Sequence, residues 1–144
     1  MVVPYKASPA VLTALRSGEI DVCFEILGPM LPQVGAKAVR LVAVTSDKRY
    51  PSLKDVPTVA EAGVPGFAVA SWNALAAPIG TPREVIDRLN AAARGALGQE
   101  SVRRRLEELG VRPQASSPRE LETLLANEIR RWGDVIRTAN IHPQ

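Results

Sequence analysis

The chain has 144 residues, of which 46% are hydrophobic and 23% charged, with a formal net charge of +3. That balance is typical of a globular domain with an ordinary core. No apolar run approaches the length needed to span a bilayer, and no basic segment followed by an apolar core and a cleavage site marks a signal peptide. A single cysteine, Cys23, excludes an internal disulfide and any multi-cysteine metal site.

In chain order, Val2-Val3 is a short β signal. Ser8 can cap a helix, with Pro9 at its first position. Val11, Leu12, Ala14 and Leu15 form an apolar stripe at helical spacing, and Gly18 fits just past the helix end. Ile20 to Phe24 reads as the next strand, with Asp21 interrupting it and Cys23 as a buried structural thiol. Together these predict a β-α-β unit, whose parallel strands are joined by a right-handed crossover. A short helix is expected within 28–34, made irregular by Pro29 and Pro32. Arg40 to Thr45 has too few polar positions for an exposed face and predicts a central parallel strand.

Beyond it, Thr58-Val-Ala-Glu61 is a capping box opening a helix of one or two turns that Gly63 ends. Pro65-Gly66 is a turn, and Phe67 to Ala77 a long extended stretch. Thr81-Pro-Arg-Glu84 is a second capping box, opening a helix striped by Val85, Ile86, Leu89, Ala92, Ala93, Ala96 and Leu97. A short helix carrying Val102, Leu106 and Leu109 ends at Gly110. Val111 to Gln114 is a candidate brief strand. Ser117-Pro-Arg-Glu120 repeats the capping grammar and opens a long final helix, striped by Leu121, Leu124, Leu125, Ile129, Trp132, Val135 and Ile136. Trp132 is expected in the core. The two boxes are recurrent helix-start chemistry, because the intervening helix does not support a duplicated module.

The residues do not assemble a catalytic constellation. No Gly-x-Ser-x-Gly elbow and no phosphate-cradling loop is present. The lone His142 sits beside Pro143 at the C-terminus, which argues against a Ser-His-Asp arrangement. Asp21 and Glu25 could face one side of a strand end, but no second feature supports acid/base work. Arg103-Arg104-Arg105 is followed at once by Glu107 and Glu108, the mixture of a solvated helix face, and few aromatics are available to stack bases, so no nucleic-acid partner is expected. Asp47-Lys48-Arg49 reads as a solvated turn.

Binding has better support. In parallel α/β sheets, ligands bind outside the carboxyl ends of strands. Here those ends are Tyr5-Lys6-Ala7-Ser8, Phe24-Glu25 and Thr45-Ser46. The first runs into a helix N-terminus, where free backbone N–H groups and the helix dipole favour an anion. Ser8 is either a ligand donor or a simple N-cap. Glu25 either accepts from a ligand amine, hydroxyl or water, or is an exposed strand end.

The order Val39-Arg-Leu-Val-Ala-Val-Thr45, then Ser46-Asp-Lys-Arg-Tyr-Pro-Ser-Leu-Lys-Asp-Val-Pro-Thr-Val-Ala-Glu-Ala-Gly-Val-Pro-Gly-Phe67, then Ser71-Trp72 and Ala77-Pro-Ile-Gly-Thr-Pro82, closely resembles the extracytoplasmic solute receptors of tripartite tricarboxylate transporters, the Bug family. Val3-Pro-Tyr-Lys-Ala-Ser-Pro9 and Gly18-Glu-Ile-Asp-Val-Cys-Phe24 are similar to two further motifs of that family. The resemblance implies an α/β fold of periplasmic-binding-protein type II (Venus-flytrap) character, lacking the N-terminal part of lobe 1. Residues 1–71 would be a partial lobe 2, 72–80 the interlobe crossover, and 81–144 the helical C-terminal part of lobe 1. It implies a periplasmic, non-enzymatic receptor that delivers a small carboxylate to membrane components of the transporter, with no cofactor and no metal. Tyr5, Ala7, Ser8, Glu25 and Ser46 would be ligand-binding, and Trp72 a hinge or lobe-packing residue. Where Ala7 stands, the family often has glycine, and where Glu25 stands, aspartate. The alternative is a stand-alone interaction or regulatory module derived from such a receptor. A chain starting at Met1 would not be exported. Half of such a receptor would bind solutes weakly and could hide its apolar stripe by pairing as a homo-dimer.

Overall fold

The computed structural model describes residues 2–141; His142 therefore lies outside the described residues. Five helices are present among them: α1 (Ser8–Ser17), α2 (Leu27–Gly35), α3 (Arg83–Gly98), α4 (Glu100–Glu108) and α5 (Pro118–Thr138). Contacts divide the chain into two compact units. One takes the chain up to Trp72 together with Arg104–Arg112, and the other takes Asn73–Arg103 and the chain from Pro113 onward.

In the first unit, α1 begins one residue earlier than its sequence signals. Ala7 is the N-cap in extended conformation, and no side chain caps the helix. Ser8 is thus the first helical residue rather than the cap. Gly18 closes α1 at φ 76°, in the left-handed region that glycine enters without strain. The helix buries Val11 and Ala14. α2 keeps its short length because Pro32 lies inside it and removes one N–H from the ladder.

The expected strands do not form a sheet among the described residues. The single β-bridge is parallel, between Val44 and Thr58. Val44 N–H donates to the Pro57 carbonyl at 2.9 Å, and Val59 N–H to the Val44 carbonyl at 2.9 Å. Val2-Val3, Ile20 to Phe24 and Val111 to Gln114 pair with nothing as strands. The β-α-β unit is therefore not realised, and Arg40 to Thr45 contributes one bridge rather than a central strand. The physical reason is a missing neighbour: a parallel strand is held by ladders on its edges and burial on both faces, whereas Val22, Phe24 and Val42 are exposed.

The box at Thr58 is bonded as its sequence predicts. Thr58 N–H donates to Glu61 Oε2 at 2.7 Å, and Glu61 N–H to Thr58 Oγ1 at 3.1 Å. It opens a single turn that Gly63 ends, not a helix. Pro65-Gly66 forms the expected turn, with Phe67 N–H bonded to the Val64 carbonyl at 3.1 Å. The first unit's buried residues are Val11, Ala14, Met30, Tyr50 and Thr58.

In the second unit the two similar boxes part company. Ser117 is a true N-cap: its side chain accepts from Glu120 N–H, and Glu120 reaches back to the Ser117 N–H. At α3 the N-cap is Pro82, with no side-chain cap, and Thr81 Oγ1 instead donates to the Pro78 carbonyl at 2.7 Å. The helix starts too late for Thr81 to reach its free N–H groups. The stripe of α5 is uncovered within its unit. Trp132 is 38% exposed rather than core, and its indole N–H donates to Glu128 Oε2 at 2.9 Å.

This difference yields a prediction. Ser117→Ala should lower unfolding stability by about 1 kcal/mol, the usual cost of a lost N-cap. Thr81→Ala should cost less, about 0.5 kcal/mol, because it removes one exposed hydrogen bond to the Pro78 carbonyl and no cap. Urea titration followed by circular dichroism measures both, and equal losses would contradict the assignment.

Candidate functional site

The five residues singled out by sequence all fall in the first unit. Tyr5, Ala7 and Ser8 lead into α1, Glu25 stands just before α2, and Ser46 follows the Val44 bridge. No hydrogen bond or ion pair among the described residues joins these three segments to one another through the five side chains.

The α1 segment carries the unspent groups. The Tyr5 hydroxyl is buried without a hydrogen-bond partner, although the ring as a whole is half-buried. A buried hydroxyl left unpaired costs about 1–3 kcal/mol. The Ser8 side chain is half-buried and makes no hydrogen bond, because it does not cap α1. No acidic residue lies in the first turn, so nothing there offsets the positive end of the helix dipole.

The other two segments are satisfied locally. Glu25 Oε1 accepts from the Ile26 N–H at 3.0 Å, and Ile26 is the N-cap of α2. Ser46 Oγ donates to the Lys48 carbonyl at 2.7 Å. Cys23 is only partly buried. Burial first, and then the charge of Glu25, push its thiol above the ordinary range. Asp21 is exposed and forms no pair with Glu25. Trp72 is 41% exposed, at the last residue of its unit's first stretch.

The turn after Ser46 is not merely solvated. Asp47 accepts from Arg112 Nη2 at 3.1 Å, and that bond holds its carboxyl below the usual range. Arg49 Nε donates to both oxygens of Glu61, at 3.1 and 2.9 Å, and its Nη1 to the Lys54 carbonyl at 2.8 Å. The Tyr50 hydroxyl donates to the Glu107 carbonyl at 3.1 Å. Sequence reasoning missed the contacts of Asp47 and Tyr50, because their partners lie 65 and 57 positions away and no local pattern encodes such pairing. An open hollow of about 460 Å³ lies elsewhere in the unit, lined by residues that include Lys37, Arg40 and Leu41. None of the five belongs to it. Among the described residues no cluster of His, Cys, Asp or Glu could hold a metal ion, and no helix is long and apolar enough to cross a membrane.

Comparison with known proteins gives a consistent answer. Residues 1–141 match the family described as tripartite tricarboxylate transporter family receptor. A UPF0065 protein encoded in a tcbD–tcbE intergenic region of Pseudomonas sp. strain P51 is 38% identical over 135 residues, covering 93% of this chain and 40% of that protein. The structure of R. palustris Rpa4515 with adipate superposes with a TM-score of 0.85 at 40% identity, covering 99% of this chain and 48% of that one. The periplasmic binding protein BugD superposes with a TM-score of 0.77 at 30% identity, covering 99% and 48%. The chain thus spans less than half the length of each of these proteins. Its fold is that of the periplasmic binding proteins over the part it covers, even though the sheet ladders are not closed within it.

The proximity of Cys23 and Glu25 can be checked chemically. Because the thiolate is the reactive form, a raised pKa means slow alkylation by iodoacetamide near neutral pH. Glu25→Gln removes the smaller of the two causes and should speed the reaction at pH 8, as followed by mass spectrometry. An unchanged rate would show that the carboxylate does not act on the thiol.

Proposed function

The chain belongs to the family of tripartite tricarboxylate transporter receptors, and we propose that it forms the ligand-facing part of a periplasmic solute receptor for small carboxylates. The observation that carries this reading is the likeness to Rpa4515, a protein solved with adipate, at 40% identity over 99% of this chain. The membrane components of a tripartite transporter would take the solute from the receptor. The task is binding and release, so it asks for no nucleophile, cofactor or metal.

Tyr5, Ala7, Ser8, Glu25 and Ser46 are the residues proposed to meet the ligand. The α1 segment suits a carboxylate: an unpaired Tyr5 hydroxyl, an unused Ser8 hydroxyl and an uncapped helix N-terminus all favour negative charge. Glu25 has the wrong sign for that group. Its role is to accept from a ligand hydroxyl or amine, or from a water beside the ligand. Residues 1–71 form the ligand-side lobe in this reading, 72–80 the crossover with Trp72 as its hinge residue, and 81–144 the helical part of the other lobe. The division of contacts after Trp72 supports the first boundary, whereas Arg104–Arg112 groups with the first unit and departs from this division.

Calorimetry on the native gene product, titrated with adipate and with hydroxylated diacids such as malate, tests the reading. Ser8→Ala should weaken carboxylate binding by about tenfold or more, since a lost charge-assisted hydrogen bond costs about 1.5–3 kcal/mol. Glu25→Ala should weaken malate more than adipate. Wild-type affinity in both variants would place the ligand elsewhere. An absence of heat with di- and tricarboxylates, amino acids and aromatic acids alike would favour an interaction module.

A further inference from the structure

The segment Glu107–Arg112 returns to the first unit from far along the chain and is attached there at three points. The Glu107 carbonyl accepts from the Tyr50 hydroxyl at 3.1 Å. Arg112 pairs with Asp47 at 3.1 Å. Between them the backbones of Leu109-Gly110 and Gly28 meet so closely that neither glycine has room for a side chain. A Cβ on Gly28 would lie 2.7 Å from the Leu109 carbonyl oxygen, and one on Gly110 would lie 2.8 Å from Gly28 N and 2.9 Å from its Cα. These are backbone atoms and cannot swing aside.

The three attachments flank two of the proposed ligand segments. Gly28 is in the first turn of α2, whose N-cap N–H is held by Glu25. Asp47 directly follows Ser46, and Tyr50, 8% exposed, opens the next turn, its carbonyl accepting from Leu53 N–H. We infer that Glu107–Arg112 is a brace that sets the separation of the Glu25 and Ser46 segments, with Gly28, Gly110 and Arg112 as positioning residues for the ligand site. This rests on the receptor reading for its consequence, because the brace affects affinity only if Glu25 and Ser46 meet the ligand. The brace itself stands on the contacts.

The test uses the native gene product and five variants. Gly18→Ala is the control: Gly18 has φ 76°, close to the 75° of Gly110, but a Cβ there meets nothing within 4 Å. It carries the left-handed strain without the clash. Gly28→Ala carries the clash without a positive φ, and Gly110→Ala carries both. Arg112→Gln removes the ion pair and leaves the glycines alone. Hydrogen exchange by mass spectrometry should show faster exchange in both 24–28 and 46–50 for Gly28→Ala and Gly110→Ala, with α1 unchanged. Adipate affinity should fall about tenfold in those variants. Arg112→Gln should speed exchange at 46–50 and weaken adipate by at most about fivefold, the range of an exposed pair, with an unchanged melting temperature and rescue by Arg112→Lys. Gly18→Ala should leave both segments and the affinity as in wild type.

The inference is overturned if Gly28→Ala loosens 24–28 but not 46–50, or if it behaves like the control. Should the glycine variants fail to fold, Arg112→Gln decides: unaltered exchange at 46–50 overturns the brace. Should wild type bind no carboxylate, the receptor reading fails while the exchange pattern still decides the brace.

Discussion

The backbone knot around Val44 and Thr58 fixes the loop that runs between them in the first unit. Val44 is bonded from both directions, by its N–H to Pro57 and by its carbonyl to Val59, and the next residue, Thr45, accepts from Val69 N–H at 2.8 Å. Thr58 is only 3% exposed, and its N–H and its hydroxyl are both paired with Glu61. Glu61 also takes the forked bond from the Arg49 Nε–H to both its oxygens. Its carboxyl is pulled below the ordinary range, first by the Thr58 N–H and then by Arg49. A carboxyl so lowered stabilises the fold above its unfolded pKa and loses that contribution as pH falls through its folded value. Ser46, Asp47 and Tyr50 lie on the loop between Val44 and Thr58, so their positions depend on this knot.

The local grammar of the chain was readable because its chemistry is local. The Thr58 and Ser117 boxes, the glycines that end α1 and α4, and the Pro65-Gly66 turn each involve groups a few residues apart. The Thr81 box shows the limit of that reading. Its letters match those at Ser117, but whether a hydroxyl caps a helix depends on where the helix starts, and α3 starts one residue after Pro82. The family match was legible for a different reason: a long ordered series of motifs covers nearly the whole chain. What could not be read was pairing at a distance. Nothing near Asp47 names Arg112, and nothing near Gly28 names Gly110.

Strands and cores failed for the same reason. Periodicity reports which face of an element is apolar, not what covers that face. The stripe of α5 is present as the sequence predicts, yet Ile129 is 66% and Ile136 47% exposed. Ile20 to Phe24 has the composition of a buried strand, yet no neighbour pairs with it. The superposition on BugD, covering 99% of this chain, shows that its path is that of a periplasmic binding protein. The conformation is therefore familiar where the ladders are not closed. A strand signal states a capacity for pairing, and pairing itself needs a second segment.

The candidate site divides by how its polar groups are spent. A ligand reaching Tyr5 and Ser8 would meet hydroxyls with no partner in the protein, so a new hydrogen bond there would break none within the fold and, at the half-buried Ser8, would replace only water. Relief of the unpaired Tyr5 hydroxyl would add to it, since a buried polar group without a partner is the costly state. At Glu25 and Ser46 the balance differs. A ligand would replace the Ile26 N–H and the Lys48 carbonyl as partners, an exchange that is nearly even for a matching group. For a group that cannot donate or accept in the right place, the exchange is a net loss. On the receptor reading, affinity for a carboxylate comes mainly from the α1 side and discrimination among carboxylates mainly from the side of Glu25 and Ser46. Such a division lets one scaffold bind a shared anionic group while small changes at two loops select what is attached to it.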